Sequence, residues 1–89
     1  MNEINVGSYK QQFRLLRSPD GLEQELPDAN DPDMEGQDIV IKNMIPPHLG
    51  PVMVRSKPGQ YIDESADPVR IVNRGSYTFK CVDQQWWLY

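Results

Sequence analysis

Short apolar runs follow one another along the chain after Gly36, and each ends at a proline or glycine before a three-turn helix could form. The runs are rich in β-branched and aromatic residues. They recur roughly every ten residues, which is typical of a β-sandwich or barrel. The predicted strands of this region are Asp38–Asn43, Pro51–Arg55, Gln60–Asp63, Val69–Asn73, Ser76–Val82 and Gln85–Tyr89.

The run Ser76–Val82 has the alternation of a half-buried strand. Tyr77, Phe79 and Cys81 occupy every second position and therefore share one face. This pattern predicts that Cys81 is a core residue.

The last run predicts the closing strand of a hairpin. A turn over residues 82–85 allows it to pair back antiparallel. Alternation then places Trp86 and Leu88 on one face and Trp87 and Tyr89 on the other. A terminal strand that is apolar on both faces is expected to contact another subunit.

The first segment fits two patterns. Tyr9, Phe13 and Leu16 have helical spacing, whereas residues 9, 11, 13 and 15 alternate as in a strand. Ser18–Gly21 has the residue types of a type I turn, and the alternating positions 22, 24 and 26 follow it. We therefore favour two strands joined as a hairpin.

Length limits the chain to one domain, because a second core would need roughly 50 residues of its own. A domain of 89 residues buries only about 60% of the surface that its unfolded chain exposes. We expect a mostly-β fold, a compact antiparallel β-sandwich or barrel of about seven short strands. Residues 1–21 would form an N-terminal arm, or a first strand and turn, and residues 22–89 the β-module.

The net charge of −4 comes from one segment. Residues 18–38 hold eight acidic and no basic residues, whereas residues 1–17 and 39–89 are each slightly basic. An acidic chain has no general attraction for phosphate backbones, so binding to nucleic acid is not expected. No stretch of 18 apolar residues and no signal-peptide pattern occurs, so no contact with a membrane is expected either.

The acidic segment contains a partial calcium-loop motif. Asp31, Asp33, Glu35 and Gly36 match the start of such a loop, but its twelfth position is Lys42 in place of glutamate. A predicted strand also replaces the exiting helix. A solvated acidic loop is the favoured interpretation, and no cofactor or metal is predicted.

No constellation of catalytic residues is visible. His48 stands in a proline-rich turn without a nucleophile or an orienting acid nearby, and Cys81 is expected to point inward. The sequence therefore predicts a protein that is not an enzyme.

The order of the runs resembles small β-modules of tailed-bacteriophage virion surface proteins, such as head decoration proteins and tail-fibre domains. The resemblance covers residues 22–89 and consists of short motifs. These are Leu26-Pro27-Asp28-Ala29, the strand from Gly36 to Asn43, Pro51–Val54, Gly59–Asp63, Gly75–Phe79 and Trp86-Trp87-Leu88. A fibre shaft is lacking, and with Met1 as its start the chain is expected to be a whole gene product.

The resemblance implies a trimeric antiparallel β-sandwich without catalysis. We expect a virion protein, made in the host cytoplasm, that binds the coat shell as a homotrimeric decoration or cement protein. The predicted core and subunit contacts are Tyr77, Phe79, Trp86, Trp87 and Tyr89. The predicted contacts of the arm with a coat or tail protein are Tyr9, Phe13, Arg14 and Arg17.

Two alternatives remain. A tail or tail-fibre attachment module would stack a host receptor or glycan on an aromatic face formed by Trp86, Trp87, Tyr89, Tyr77 and Tyr61. An intracellular protein that mimics nucleic acid by its acidic residues ranks last, because those residues lie in one proline-broken loop.

Overall fold

Residues 11–89 form seven strands, the number that the pattern predicts. The computed structural model describes residues 11–89, which contain strands and short 3-10 turns but no α-helix. The strands are β1 Gln11–Leu16, β2 Glu23–Glu25, β3 Asp38–Asn43, β4 Val52–Arg55, β5 Val69–Ile71, β6 Ser76–Val82 and β7 Gln85–Leu88. Each 3-10 turn begins with proline, whose fixed φ angle suits the first position; the turns are Pro19–Gly21, Pro32–Met34 and Pro47–Leu49.

The strands form two sheets that pack as an open sandwich. The four-stranded sheet has the order β1-β3-β6-β7, and the three-stranded sheet has the order β2-β4-β5. The predicted mostly-β sandwich is therefore confirmed, and the sheets do not close into a barrel.

Two of the five strand pairings within residues 11–89 are parallel, whereas the sequence predicted an antiparallel sandwich. β1 pairs with β3, and β2 with β4, in the parallel sense. The reason is that the chain alternates between the sheets through its first four strands. Each return to the same sheet is then a long crossover, which is the connection that parallel pairing requires.

The predicted hairpin of the first two strands is wrong for the same reason. The turn at residues 18–21 forms, since the Gly21 N–H donates to the Ser18 carbonyl at 3.0 Å. However, β1 and β2 belong to different sheets, so this turn is a crossover between the layers.

The predicted strand Gln60–Asp63 is also wrong. Asp63 and Glu64 both have positive φ angles and form a tight turn, so only Ile62 makes isolated bridges, to Ser65 and to Trp86. The remaining strand positions agree with the sequence pattern, and β3 and β6 have the predicted bounds.

The core lies between the sheets and contains residues of both. Cys81 is fully buried in it, as predicted. The buried apolar residues are Leu26, Ala29, Ile39, Ile41, Ile45, Val52, Val54, Ile62, Ile71, Phe79, Cys81 and Trp86.

The buried side-chain amide of Asn43 connects the two sheets at one end. Asn43, the last residue of β3, is fully buried; its Nδ2 donates to the Ile71 carbonyl and its Oδ1 accepts from the Ile45 N–H, both at 2.8 Å. This side chain therefore connects the four-stranded sheet to β5 of the other sheet without an unsatisfied polar group.

Candidate functional site

The predicted aromatic contact residues separate into a buried group and an exposed group. Phe79 and Trp86 are fully buried, and the Trp86 Nε1–H donates to the Pro27 carbonyl at 3.2 Å. These two residues serve the core and are inaccessible to a partner.

Tyr77 lies at the margin of the core face. Its ring packs edge-on against Phe79 with the centroids 6.5 Å apart, and its partner across the strands is the buried Ile41. The side chain is nevertheless 41% exposed. Tyr77 therefore belongs to the inner side of the sheet, opposite to the face that carries Trp87.

The outer face of the four-stranded sheet, meaning the face turned away from the core, carries a mainly apolar row formed by Phe13, Val40, Thr78 and Tyr89, which we call the apolar row. The register places Phe13 beside Val40, and Val40 beside Thr78. Tyr89 continues the row, because its N–H donates to the Thr78 carbonyl at 3.1 Å. Phe13 is 61% exposed and Tyr89 is 69% exposed, so the row ends in two accessible rings.

A polar cluster borders this row. Asp38 points outward, yet only 4% of its side chain is exposed, because Lys80 and Tyr89 cover it. The Lys80 ammonium lies 3.2 Å from Oδ1 of Asp38 and 5.7 Å from the centroid of the Tyr89 ring. The Tyr89 hydroxyl donates to Oδ2 of Asp38 at 2.8 Å, and this hydrogen bond raises the pKa of Tyr89.

Trp87 lies on the same outer face, opposite Lys80 on the neighbouring strand. It is half-buried, and its Nε1–H donates to the Val82 carbonyl at 3.0 Å. The structure thus brings Phe13, Trp87 and Tyr89 to one face, although the sequence analysis assigned Phe13 to a separate arm.

The other predicted arm residues have different positions. Arg14 is half-buried between the layers, where its Nη1 donates to Oε1 of Gln24 at 3.0 Å and to the Glu25 carbonyl. This burial lowers the pKa of Arg14. Arg14 therefore connects β1 to β2 within the chain, Arg17 is exposed, and Tyr9 lies outside the described residues.

The two edges of the four-stranded sheet differ. The outer edge of β7 is covered by the turn at residues 61–65: the Trp86 N–H donates to the Tyr61 carbonyl, and the Leu88 N–H to Oδ1 of Asp63 at 3.0 Å. No strand within residues 11–89 pairs with the outer edge of β1. An edge without a partner strand among the described residues, next to the apolar row, is a natural place for association.

The acidic loop uses its carboxylates for local structure. Oδ1 of Asp31 accepts from the Asp33 N–H at 2.9 Å, and both oxygens of Glu35 accept from the Asp83 N–H at 3.0 Å. Over the described part of the chain, no group of three or more metal-ligating side chains is close enough together to hold an ion.

The structure also locates the two other candidate reactive residues, His48 and Cys81. His48 lies exposed in the 3-10 turn Pro47–Leu49. Burial raises the pKa of the Cys81 thiol to about 11, so the thiol stays protonated at neutral pH.

Sequence reasoning missed the polar cluster and the middle of the apolar row. Alternation along β3 already places Asp38 and Val40 on the face opposite to Ile39. The signal was therefore present, but the partners of β3 were not known.

Comparison of the chain with protein-family models, with curated proteins and with solved structures finds no match. Within residues 11–89, no helix is long and apolar enough to cross a membrane.

Proposed function

We propose that this chain is a structural protein of a bacteriophage virion that decorates the capsid as a homotrimer. The observation that carries the assembly role is the row from Phe13 to Tyr89, with its two exposed rings, beside a β1 edge that has no partner strand in the described part of the chain. The motifs shared with phage β-modules support the virion as the place of assembly.

The outer face would form the centre of the subunit contact. A specific interface buries about 800 Å² on each partner. Two exposed rings supply only part of this, because an aromatic side chain buries about 150–250 Å² in full. Leu15, which is 43% exposed and follows Phe13 on the same face, and the half-buried Trp87 would extend the contact.

A three-fold arrangement requires two different surfaces on each subunit, because a ring is built from heterologous contacts. The outer face is adjacent to the β1 edge, which no described strand pairs with, and the two surfaces differ in kind. One subunit's apolar row against the next subunit's β1 edge would satisfy both surfaces and cover the exposed strand.

The test of the virion assignment is the composition of the particle. Mass spectrometry and cryo-EM of purified virions should detect this chain at a copy number set by capsid symmetry. Absence from the particle, or a few copies confined to the tail, would refute capsid decoration.

The second candidate is an attachment module of the tail that binds a host receptor or glycan. The exposed ring of Tyr89 and the half-buried Trp87 on one face favour it, since rings on one face can stack on a sugar. Tyr77 cannot join them because it lies on the inner side. Trp87→Ala separates the candidates: a subunit contact predicts loss of the trimer, whereas a glycan site predicts an intact trimer that no longer binds cells.

A further inference from the structure

A groove of about 790 Å³ lies at the end of the four-stranded sheet where β1 and β3 begin. Parallel pairing brings the first residues of these strands together, with Gln11 beside Asp38 and Gln12 beside Ile39. The segment 32–37 of the acidic loop forms the opposite wall. The groove is separate from the apolar row, which lies further along the outer face.

The lining combines apolar contacts with negative charge. Pro27, the half-buried Met34 and the buried Ile39 supply the apolar part. Asp33 and Glu35 stand at the wall, and the lining residues within 11–89 include no lysine or arginine. Both residues belong to the acidic segment 18–38, which holds eight acids and no base.

Asp33 is the carboxylate most available to a ligand. Its side chain is exposed and accepts no hydrogen bond from residues 11–89, whereas Glu35 already accepts from the Asp83 N–H. Asp38 is covered by Lys80 and Tyr89. A cation that enters the groove therefore meets Asp33 without displacing an internal partner.

We propose that this groove binds a basic, extended peptide segment of a partner protein. The negative wall selects basic side chains, and the apolar residues accommodate their stems or intervening apolar residues. The first residues of β1 line the groove at an edge that no strand of residues 11–89 pairs with, so their backbone groups can meet an extended chain. The inference rests on the proposed function for the identity of the partner, which would then be a basic segment of the coat.

The test uses the full chain and two fluorescein-labelled peptides, (Lys-Val)₄ and the matched (Glu-Val)₄, with fluorescence anisotropy as the readout. We expect (Lys-Val)₄ to bind and (Glu-Val)₄ to remain unbound. Affinity for (Lys-Val)₄ should fall about tenfold or more as salt is raised from roughly 0.05 to 0.3 M, because charge pairs are screened. Equal binding of the two peptides, or no binding of either, would overturn the proposal.

The chain offers a matched pair of variants. Asp33 and Asp20 are each the second residue of an exposed Pro-Asp 3-10 turn, and only Asp33 lines the groove. Asp33→Lys should weaken (Lys-Val)₄ binding about tenfold, whereas Asp20→Lys, with the same change in net charge, should change it less than about twofold. Equal effects of the two variants would mean that peptide binding depends on net charge alone, and this would overturn the proposed binding site in the groove.

The outcome of the peptide-binding experiment does not depend on whether the chain is a virion protein. Peptide binding is measured on the free protein, so its failure refutes the groove while the chain can still be found in particles. Absence from particles would refute the proposed function while peptide binding remains.

Discussion

The hydroxyl of Tyr89 donates a 2.8 Å hydrogen bond to the carboxylate of Asp38 and so ties the end of the chain to the start of β3. The bond passes over β6, whose Lys80 contacts both residues. It explains why Asp38 is almost fully buried on the outer face of a sheet. The last residue of the chain thus helps to define the proposed assembly surface.

Tyr89→Phe removes this hydrogen bond and should lower the stability of the fold. Asp38 would keep Lys80 but lose a donor, and a buried carboxylate depends on its donors. At neutral pH, the urea midpoint of the Tyr89→Phe variant should be lower than that of the wild type. Tyr61→Phe is the control, since the Tyr61 hydroxyl has no hydrogen bond to residues 11–89, and an equal fall in both variants would contradict the account.

The same bond predicts a pH dependence. The hydrogen bond to Asp38 raises the pKa of Tyr89 above its ordinary value of 10. The unfolded chain therefore releases the proton first, so the stabilisation is complete below pH 10 and declines as the pH rises through the folded-state pKa. Urea midpoints above pH 10 should fall more steeply for the wild type than for Tyr89→Phe, and parallel curves would refute this.

Asn43→Ala should be strongly destabilising. It leaves the Ile71 carbonyl and the Ile45 N–H without their partners in a fully buried position. We expect a loss of about 2–4 kcal/mol in the free energy of unfolding. Asn73→Ala is the matched control, because its Nδ2 makes one hydrogen bond, to the Ile45 carbonyl at 2.7 Å, at a part-buried site. An equal or larger loss in the control would argue against Asn43 as the link between the sheets.

The sequence predicted the positions of the strands better than it predicted which strands pair with each other. A short apolar run bounded by turn residues located β3, and alternation located β6. The parallel pairing of β1 with β3 depends on the chain crossing between sheets, which a local pattern does not encode. Phe13 was therefore expected in an arm, although it lies on the same face as Tyr89.

Two further features depended on distant contacts. The strand expected at Gln60–Asp63 fails because Asp63 and Glu64 turn with positive φ angles, which residues other than glycine adopt only uncommonly. Asp38 was read as part of an acidic run, since only the folded chain brings Lys80 and Tyr89 to it.

Cys81 should be unreactive in the folded protein. It is fully buried, and its Sγ lies 3.6 Å from the Ala29 carbonyl. At pH 8, Ellman's reagent should modify it only as fast as the protein unfolds, whereas the urea-unfolded chain should react at once. Rapid stoichiometric reaction of the native protein would contradict its placement in the core.

The raised pKa of Cys81 also affects stability at high pH. Burial is the main cause, and it raises the pKa from 9.0 in the unfolded chain to about 11. The unfolded thiol ionises first, so stability falls between pH 9 and pH 11. Cys81→Ala should lessen this fall, and an unchanged slope would count against the protonated buried thiol.

Phe13→Ser tests the outer face. Phe13 is 61% exposed, so its loss should leave the urea midpoint of the monomer nearly unchanged while it weakens association. Val72→Ser is the control, because Val72 is similarly exposed at 57% and follows β5 of the three-stranded sheet. If both variants associate like the wild type, the outer face is not the subunit contact.

The solution mass of the wild-type chain tests assembly most directly. Light scattering at micromolar concentration should give about 31 kDa, three times the chain mass of 10.3 kDa. Phe13→Ser should shift the mass toward a single chain, and Val72→Ser should not. A wild-type mass of 10.3 kDa that persists as concentration rises would contradict the homotrimer.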